Sequence, residues 1–330
     1  MNVLILGGTQ FVGRHMVESA LKAGHTVTIF NRGKTNQDLF PEVEKRVGDR
    51  NGDLSALEEG SWDTVIDVSG YVPSQVKATV NLLKDRVKHY VLISTISVYG
   101  DFAHGAAKVG ETALKKMTGD TEEVTGDTYG PLKQKCEEIV KEVFGSRALC
   151  IRPGLIVGPD DPTDRYTYWV YRVSKGGRVL APGKPEREIQ WIDVRDLSEW
   201  VIRMTENKES GTYNAAGLDY NPTMEELLET SKRVTGSDAE FKWVEDEVLH
   251  SFEVTPFVEM PFWIPLSEDF PSGFLVADAK DAIAHGLTFR SPEETIKDTY
   301  QWLTKRNNHS WKAGLSEDKE KEILIAAEEK

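Results

Sequence analysis

The stretch TYGPLKQK places Tyr129 and Lys133 four residues apart. On a helix that spacing puts both side chains on one face. An ammonium beside a phenol favours the phenolate and lowers the tyrosine pKa from about 10 toward neutrality. Such a tyrosine exchanges a proton with a carbinol–carbonyl pair. The spacing alone is weak evidence, because Tyr171 and Lys175 repeat it. Position separates the two pairs. Tyr129 lies between the apolar runs ending STISVYG and RPG, whereas Tyr171 falls in a looser stretch where ordinary packing is the stronger reading.

A second constellation opens the chain, MNVLILGGTQFVGRH. An apolar run, a glycine turn and a helical pattern are the context in which backbone N–H groups cradle a pyrophosphate. Gly7 permits the tight turn, and Gly13 lets the helix lie close to the sheet. Gln10 stands where the usual fingerprint has its middle glycine, so a ligand-free strand–turn–helix competes with the binding reading. Gly7, Thr9, Gln10, Phe11, Val12 and Gly13 are the candidate cradle. The next apolar run ends FNRGKT. A NAD enzyme carries Asp or Glu at that point to accept from the ribose 2′-hydroxyl. Asn31 and Arg32 occupy it here, with Lys34 nearby, and a guanidinium suits a 2′-phosphate. NADP is the expected cofactor, with NAD as the alternative. A basic surface turn is the competing reading of Arg32 and Lys34. Arg14, just inside the first helix, is a second candidate charge for that phosphate, with a solvated helix residue as its competing reading.

These residues need elements to hold them. Runs rich in Val and Ile (3–6, 25–30, 63–70, 90–94, 148–154) alternate with helical patterns, one over about 129–143. Strands apolar on both faces and separated by helices indicate a parallel sheet covered on both sides. The expected fold class is α/β, a doubly wound Rossmann sheet with a smaller, partly interleaved C-terminal substrate lobe. The core spans 1–159, with 190–216 returning to it; the lobe takes 160–189 and 217–305; 306–330 reads as a charged, solvated tail helix.

Composition narrows the function classes. A length of 330 residues allows one large α/β unit, or two linked domains, with a sizeable core. The net charge of −14 argues against a broad electrostatic hold on nucleic acid. Two cysteines, Cys136 and Cys150, have no metal-type spacing and fit a reducing cytosol. The N-terminus lacks a basic n-region, and no apolar run approaches the roughly 20 residues that span a bilayer. A cytoplasmic protein is the expectation.

Taken in order, the glycine loop, ISTISVYG, Tyr129-x-x-x-Lys133 and RPGLIVGP resemble the extended and atypical short-chain dehydrogenase/reductases. Within them the chain is similar to bacterial NAD-dependent epimerase/dehydratase proteins of the isoflavone-reductase-like kind, and to chloroplast stem-loop-binding proteins. GGTxFxGR recurs in that subgroup, so the resemblance implies that Gln10 is a variation of the loop. It also implies roles. Thr95 would hydrogen-bond the substrate oxygen, Tyr129 would be the acid/base, and Lys133 would hold the nicotinamide ribose and lower the tyrosine pKa. Asp49 and Arg50 would contact the adenine side. Ser69, Gly70 and Tyr71 would pass under the cofactor, with Pro153 and Ile156 beside the nicotinamide. A homodimer through a helix pair is common in the superfamily.

Two departures matter. Family dehydratases carry Asp-Glu after the catalytic Thr, where this chain has Ile96-Ser97. Nucleotide-sugar enzymes often carry a diphosphate-binding arginine where this chain has Ile189, with Arg187 out of register. Candidate contacts to a small-molecule substrate are Tyr99, Arg165, Tyr168, Trp169, Gln190 and Trp191. Three functions compete: an NAD(P)-dependent oxidoreductase on a small carbonyl or alcohol, an epimerase with transient oxidation, and a non-catalytic cofactor-sensing or RNA-binding protein.

Overall fold

The computed structural model describes residues 1–306 and 310–328. A seven-stranded parallel sheet carries the cleft. Its strands are β1 (Asn2–Leu6), β2 (Thr26–Asn31), β3 (Glu44–Val47), β4 (Trp62–Asp67), β5 (Val87–Ile93), β6 (Ala148–Pro153) and β10 (Gly211–Ala215), in spatial order β10-β6-β5-β4-β1-β2-β3. The order reverses between β1 and β4. In such sheets the crevice outside the strand ends at the reversal is where ligands bind.

Alternation along the strands builds two cores. Val3 and Ile5 point to the face covered by α1 (Phe11–Lys22) and α5 (Val194–Glu206), through Met16, Val17, Leu197 and Trp200. Leu4 and Leu6 point to the face covered by α2 (Pro73–Leu83) and α3 (Tyr129–Phe144), through Val76, Val80, Val140 and the free thiol Cys136. Both sides of the inner strands β1, β4, β5 and β6 are therefore apolar, as the sequence runs imply.

A second core forms beyond β6. The short pair β7 (Ile156–Val157) and β9 (Ile192–Asp193) leads into it, and β8 (Arg178–Pro182) pairs with β11 (Glu240–Val244). Around them stand α4 (Arg165–Ser174), α6 (Met224–Thr235), α7 (Asp246–Ser251), α8 (Lys280–Ala284), α9 (Pro292–Leu303) and α10 (Glu317–Glu328). All but α8 lend apolar residues to this core, whose largest buried side chains include Tyr166, Trp169, Trp191, Phe262 and Trp263. Among the described residues no helix is long and apolar enough to cross a membrane.

The expectation of a solvated tail helix gives way here. Ile323 and Leu324 of α10 are buried in the lobe core. Glu320 accepts from Arg172 Nε at 2.7 Å and from the Leu180 amide at 3.0 Å. A carboxylate within the charged run EDKEKE reads as solvent-facing, and the Arg172 guanidinium and the Leu180 amide offset the cost of its burial. The second tyrosine–lysine pair is packing: Tyr171 lies against Trp311 with ring centroids 4.6 Å apart, and Lys175 sits over the Tyr171 ring.

Candidate active site

A cleft of about 540 Å³ runs along the C-terminal ends of β2, β1, β4 and β5. It brings together Gly7, Thr9, Gln10, Phe11, Val12, Gly13, Asn31, Arg32, Asp49, Arg50, Ser69, Tyr71, Tyr129, Lys133 and Ile156. The Gly7 amide donates to Phe30 O at 2.9 Å, holding the start of the glycine turn to β2. A Cβ at Gly13 would lie 2.4 Å from Gly8 N, so the helix approaches the loop more closely than any side chain allows. Gln10 caps α1 with φ −137° and ψ 138°, extended backbone that any residue adopts. Its side chain is exposed and makes no cap bond, which leaves the first amides of α1 to an anion. The loop thus fits a pyrophosphate without its middle glycine. Gln10→Gly is expected to keep dinucleotide affinity within a few-fold, whereas Gly13→Ala abolishes it. Fluorescence titration of both variants checks this, and tight binding by Gly13→Ala would refute the close-packing account.

At the adenosine end, Asn31 Nδ2 donates to Thr9 Oγ1 at 3.3 Å, and its Oδ1 accepts from the Gly33 amide at 2.8 Å. Arg32 is exposed on the cleft wall. Arg14, a second candidate charge, is tied elsewhere: Nε meets Glu18 and Nη1 meets Asp160, both at 2.9 Å. Arg50 also differs from expectation. Its guanidinium turns inward and grips Asp67 in two bonds of 2.6 and 2.8 Å. An arginine beside a buried carboxylate has a stronger partner than an adenine edge offers.

Asp67, the last residue of β4, is fully buried. It accepts from Arg50, from the Tyr90 hydroxyl at 2.7 Å and from the Ser69 amide at 3.1 Å. Burial pushes its carboxyl up, but the Arg50 charge and these bonds outweigh that and hold it below the usual range. The turn it organises carries Gly70, whose carbonyl accepts from Lys133 Nζ at 2.7 Å; Ile93 O accepts from the same ammonium at 2.6 Å. Burial pulls the Lys133 pKa down, opposed by the charges of Cys136, Asp67 and Glu137.

Tyr129 opens α3 and half-emerges at the far end of the cleft. A Cβ at Gly130 would lie 2.0 Å from Ser97 O. Only the missing side chain there lets α3 start against the turn that carries Thr95, whose hydroxyl donates to Ser97 Oγ at 3.2 Å and accepts from the Ser97 amide at 3.1 Å. The Tyr71 ring sits 6.4 Å from that of Tyr129 and 5.3 Å from Lys133 Nζ. The phenol is pushed up to about 12, by burial first and then by Tyr71, against the opposing pull of Thr95 and Arg165. The lowering expected from Lys133 is absent, because its ammonium is tied to two carbonyls rather than aimed at the phenol.

The model of the NAD dependent epimerase/dehydratase family matches residues 3–216 of the chain. The chain belongs to that family. It is 25% identical over 239 residues to the chloroplast stem-loop binding protein of 41 kDa b of Arabidopsis thaliana, covering 66% of this chain and 59% of that protein. It is 26% identical over 234 residues to the N-acetyl-alpha-D-glucosaminyl-diphospho-ditrans,octacis-undecaprenol 4-epimerase of Escherichia coli O157:H7, covering 64% and 65%. The matched stretches therefore span less than two thirds of either relative. In fold, it is similar to the UDP-glucuronic acid 4-epimerase from Bacillus cereus, solved in complex with NAD. The TM-score is 0.68 at 15% identity, covering 92% of this chain and 99% of that one.

Several residues expected to touch substrate lie outside the cleft in this member of the family. Tyr99 is fully buried, donates to Asn214 Oδ1 at 2.7 Å and accepts from Arg152, which also grips Glu137. Gln190 pairs with the Ala277 backbone through two 3.0 Å bonds. Trp169 and Trp191 are core residues, and the Tyr168 ring lies under Gly314. Aromatic type and motif proximity cannot distinguish a lining residue from a core one; chain path decides. Pro153 is buried at the end of β6, while Ile156 reaches the cleft. Arg187 bonds both oxygens of Asp246, at 3.0 and 2.8 Å, and Ile189 is buried.

Sequence reasoning missed Asp67, Gly130, Ser94, Pro162 and Thr163. The last three line the cleft. A signal existed for Asp67, since a carboxylate inside the apolar run DTVIDVSG demands a buried partner. None existed for Pro162 and Thr163, which a loop folds over from the lobe side.

Proposed function

We propose that this protein is an epimerase of sugar-type substrates, oxidising one carbinol carbon and re-reducing it from the other face with a retained nicotinamide dinucleotide. The observation that carries this reading is the placing of Tyr129 and Lys133 at one end of the glycine-loop cleft, with the turn that carries Thr95 packed against Gly130. Tyr129 takes the hydroxyl proton as the carbinol becomes a carbonyl, and returns it in the second half-reaction. Thr95 orients the same oxygen, and Lys133 holds positive charge beneath the pair. The bound nicotinamide supplies the acceptor and donor of the hydride. The 4-epimerase relatives favour epimerisation over net reduction, and the net charge of −14 disfavours RNA. A net oxidoreductase on smaller alcohols is the second reading. It is favoured by Ile189 and by the tying of Arg187 to Asp246, which leave no arginine for a diphosphate there. Incubating the NAD-loaded protein with candidate sugars and resolving the epimers by NMR tests the proposal. Interconversion with no net reduced cofactor is expected; stoichiometric reduced cofactor with a keto product would replace it by the second reading.

The strand end supplies no carboxylate for two ribose hydroxyls, and Arg32 stands exposed beside the cleft. One exposed guanidinium adds a charge-assisted bond to a 2′-phosphate, at the weak end of a range of about 10- to 150-fold. We therefore expect both dinucleotides to bind and Arg32 to favour NADP about tenfold. Arg32→Ala should equalise them in calorimetric titrations, and an unchanged ratio would place the choice elsewhere.

A further inference from the structure

Residues 159–164, PDDPTD, connect β7 to α4. Asp160 and Asp164 hold φ at 68° and 61°, in the left-handed region. A residue other than glycine is strained there and stays only where its surroundings impose the conformation. Each aspartate is gripped by an arginine from a distant part of the chain. Asp160 accepts from Arg14 Nη1 at 2.9 Å. Asp164 accepts from Arg306 Nη1, from Arg306 Nη2 at 3.2 Å and from the Lys312 amide at 3.1 Å. Between them Asp161 accepts from the Thr163 amide at 2.8 Å and the Thr163 hydroxyl at 3.1 Å. The segment is thus fixed at both ends and braced within. Arg165, the next residue, lays its guanidinium over the Phe257 ring at 5.7 Å, against the lobe.

The near anchor stands on the helix that follows the glycine loop. Arg14 lies in the first turn of α1, beside Gly13, and His15 follows it. Pro159 O accepts from His15 Nε2 at 3.1 Å. The open amides of that same turn are the anion cradle. Pro162 and Thr163 line one cleft with Gln10, Phe11 and Gly13. The ties therefore stand on either side of the two residues that wall the cleft. We propose that residues 159–164 form a strap across the bound dinucleotide, and that Arg14 and Asp160 are positioning residues that set how long it stays. Arg14 acts through the strap rather than on the cofactor, because its Nε is held by Glu18 at 2.9 Å and its Nη1 by Asp160. Release past the strap requires the near anchor to part. The inference needs a bound dinucleotide and holds for an epimerase and for a net oxidoreductase alike.

Dissociation rates test it. NADH is bound to the wild type, Arg14→Gln, Asp160→Asn and the double variant, and its release is followed by stopped-flow fluorescence on mixing with excess NAD. NADPH is treated in the same way against NADP. Each single substitution should speed release of both dinucleotides about three- to tenfold, the range for a partly buried charge-assisted bond, at an unchanged unfolding temperature. The double variant should release no faster than the faster single one, because all three lose the same bond. Unchanged release in either single variant overturns the inference, and so does additive acceleration in the double. Faster release of NADPH alone in Arg14→Gln, with Asp160→Asn unaffected, would put Arg14 on the cofactor's phosphate and overturn it as well. Faster release found only together with a lowered unfolding temperature has the same consequence, since general loosening then suffices. So does a wild type that binds neither NADH nor NADPH.

Discussion

Tyr129→Phe is expected to lower turnover by about 10²- to 10⁴-fold and leave dinucleotide affinity within a few-fold of wild type. The substitution removes one hydroxyl at the cleft and keeps the ring that packs near Tyr71. Lys133→Ala should behave differently. The ammonium binds Gly70 O and Ile93 O, so its loss loosens the turn under the cleft and damages binding and turnover together. The pH profile adds a second test. With the phenol at about 12 in the free protein, little phenolate exists near neutrality. The oxidative half-reaction, which needs the deprotonated form, should therefore accelerate as pH rises, while Tyr129→Phe stays flat. Single-turnover measurements of cofactor reduction across pH decide it. A wild-type rate in the phenylalanine variant would remove Tyr129 from the chemistry.

Asp67→Asn should destabilise the protein by about 3–5 kcal/mol, because it strands a buried guanidinium. Arg50 has both its Nη donors on Asp67, and its Nε has no partner among the described residues. The sign of the pH dependence follows from the depressed folded value. Stability from Asp67 is fully present above the unfolded carboxylate pKa of about 4 and is lost as pH falls through the lower folded one. Acid should thus weaken the wild type more than the asparagine variant. Urea unfolding at neutral and acid pH measures both effects. A loss under 1 kcal/mol at neutral pH, or parallel acid sensitivity of the two proteins, would show that the pair is not what holds the turn.

The parallel sheet was legible because its strands are buried on both faces and so read as unbroken apolar runs. The edge strand β3, Glu44–Val47, was not named, since an edge exposes its residues and EKRV has no apolar signal. The cleft's glycines and Tyr129 were legible from local spacing. Contacts set by long-range chain path were not. Tyr99, Gln190 and Trp191 have plausible types for a binding wall, yet distant segments at Asn214 and Ala277 draw the first two inward. Arg50 illustrates the same limit: its partner lies 17 positions away on another strand, and no nearest-neighbour pattern announces the pairing.

The loop that supplies Pro162 and Thr163 to the cleft ends at Asp164, and Asp164 is held by Arg306, 142 positions later. During synthesis the glycine turn, β2 and β4 are all made long before that arginine. At about 5–20 residues per second, the 142 positions from Asp164 to Arg306 take roughly 7–28 seconds. For that interval the loop lacks its Arg306 anchor. This wall of the cleft is therefore fastened only after every strand of the sheet that carries the cradle has been made.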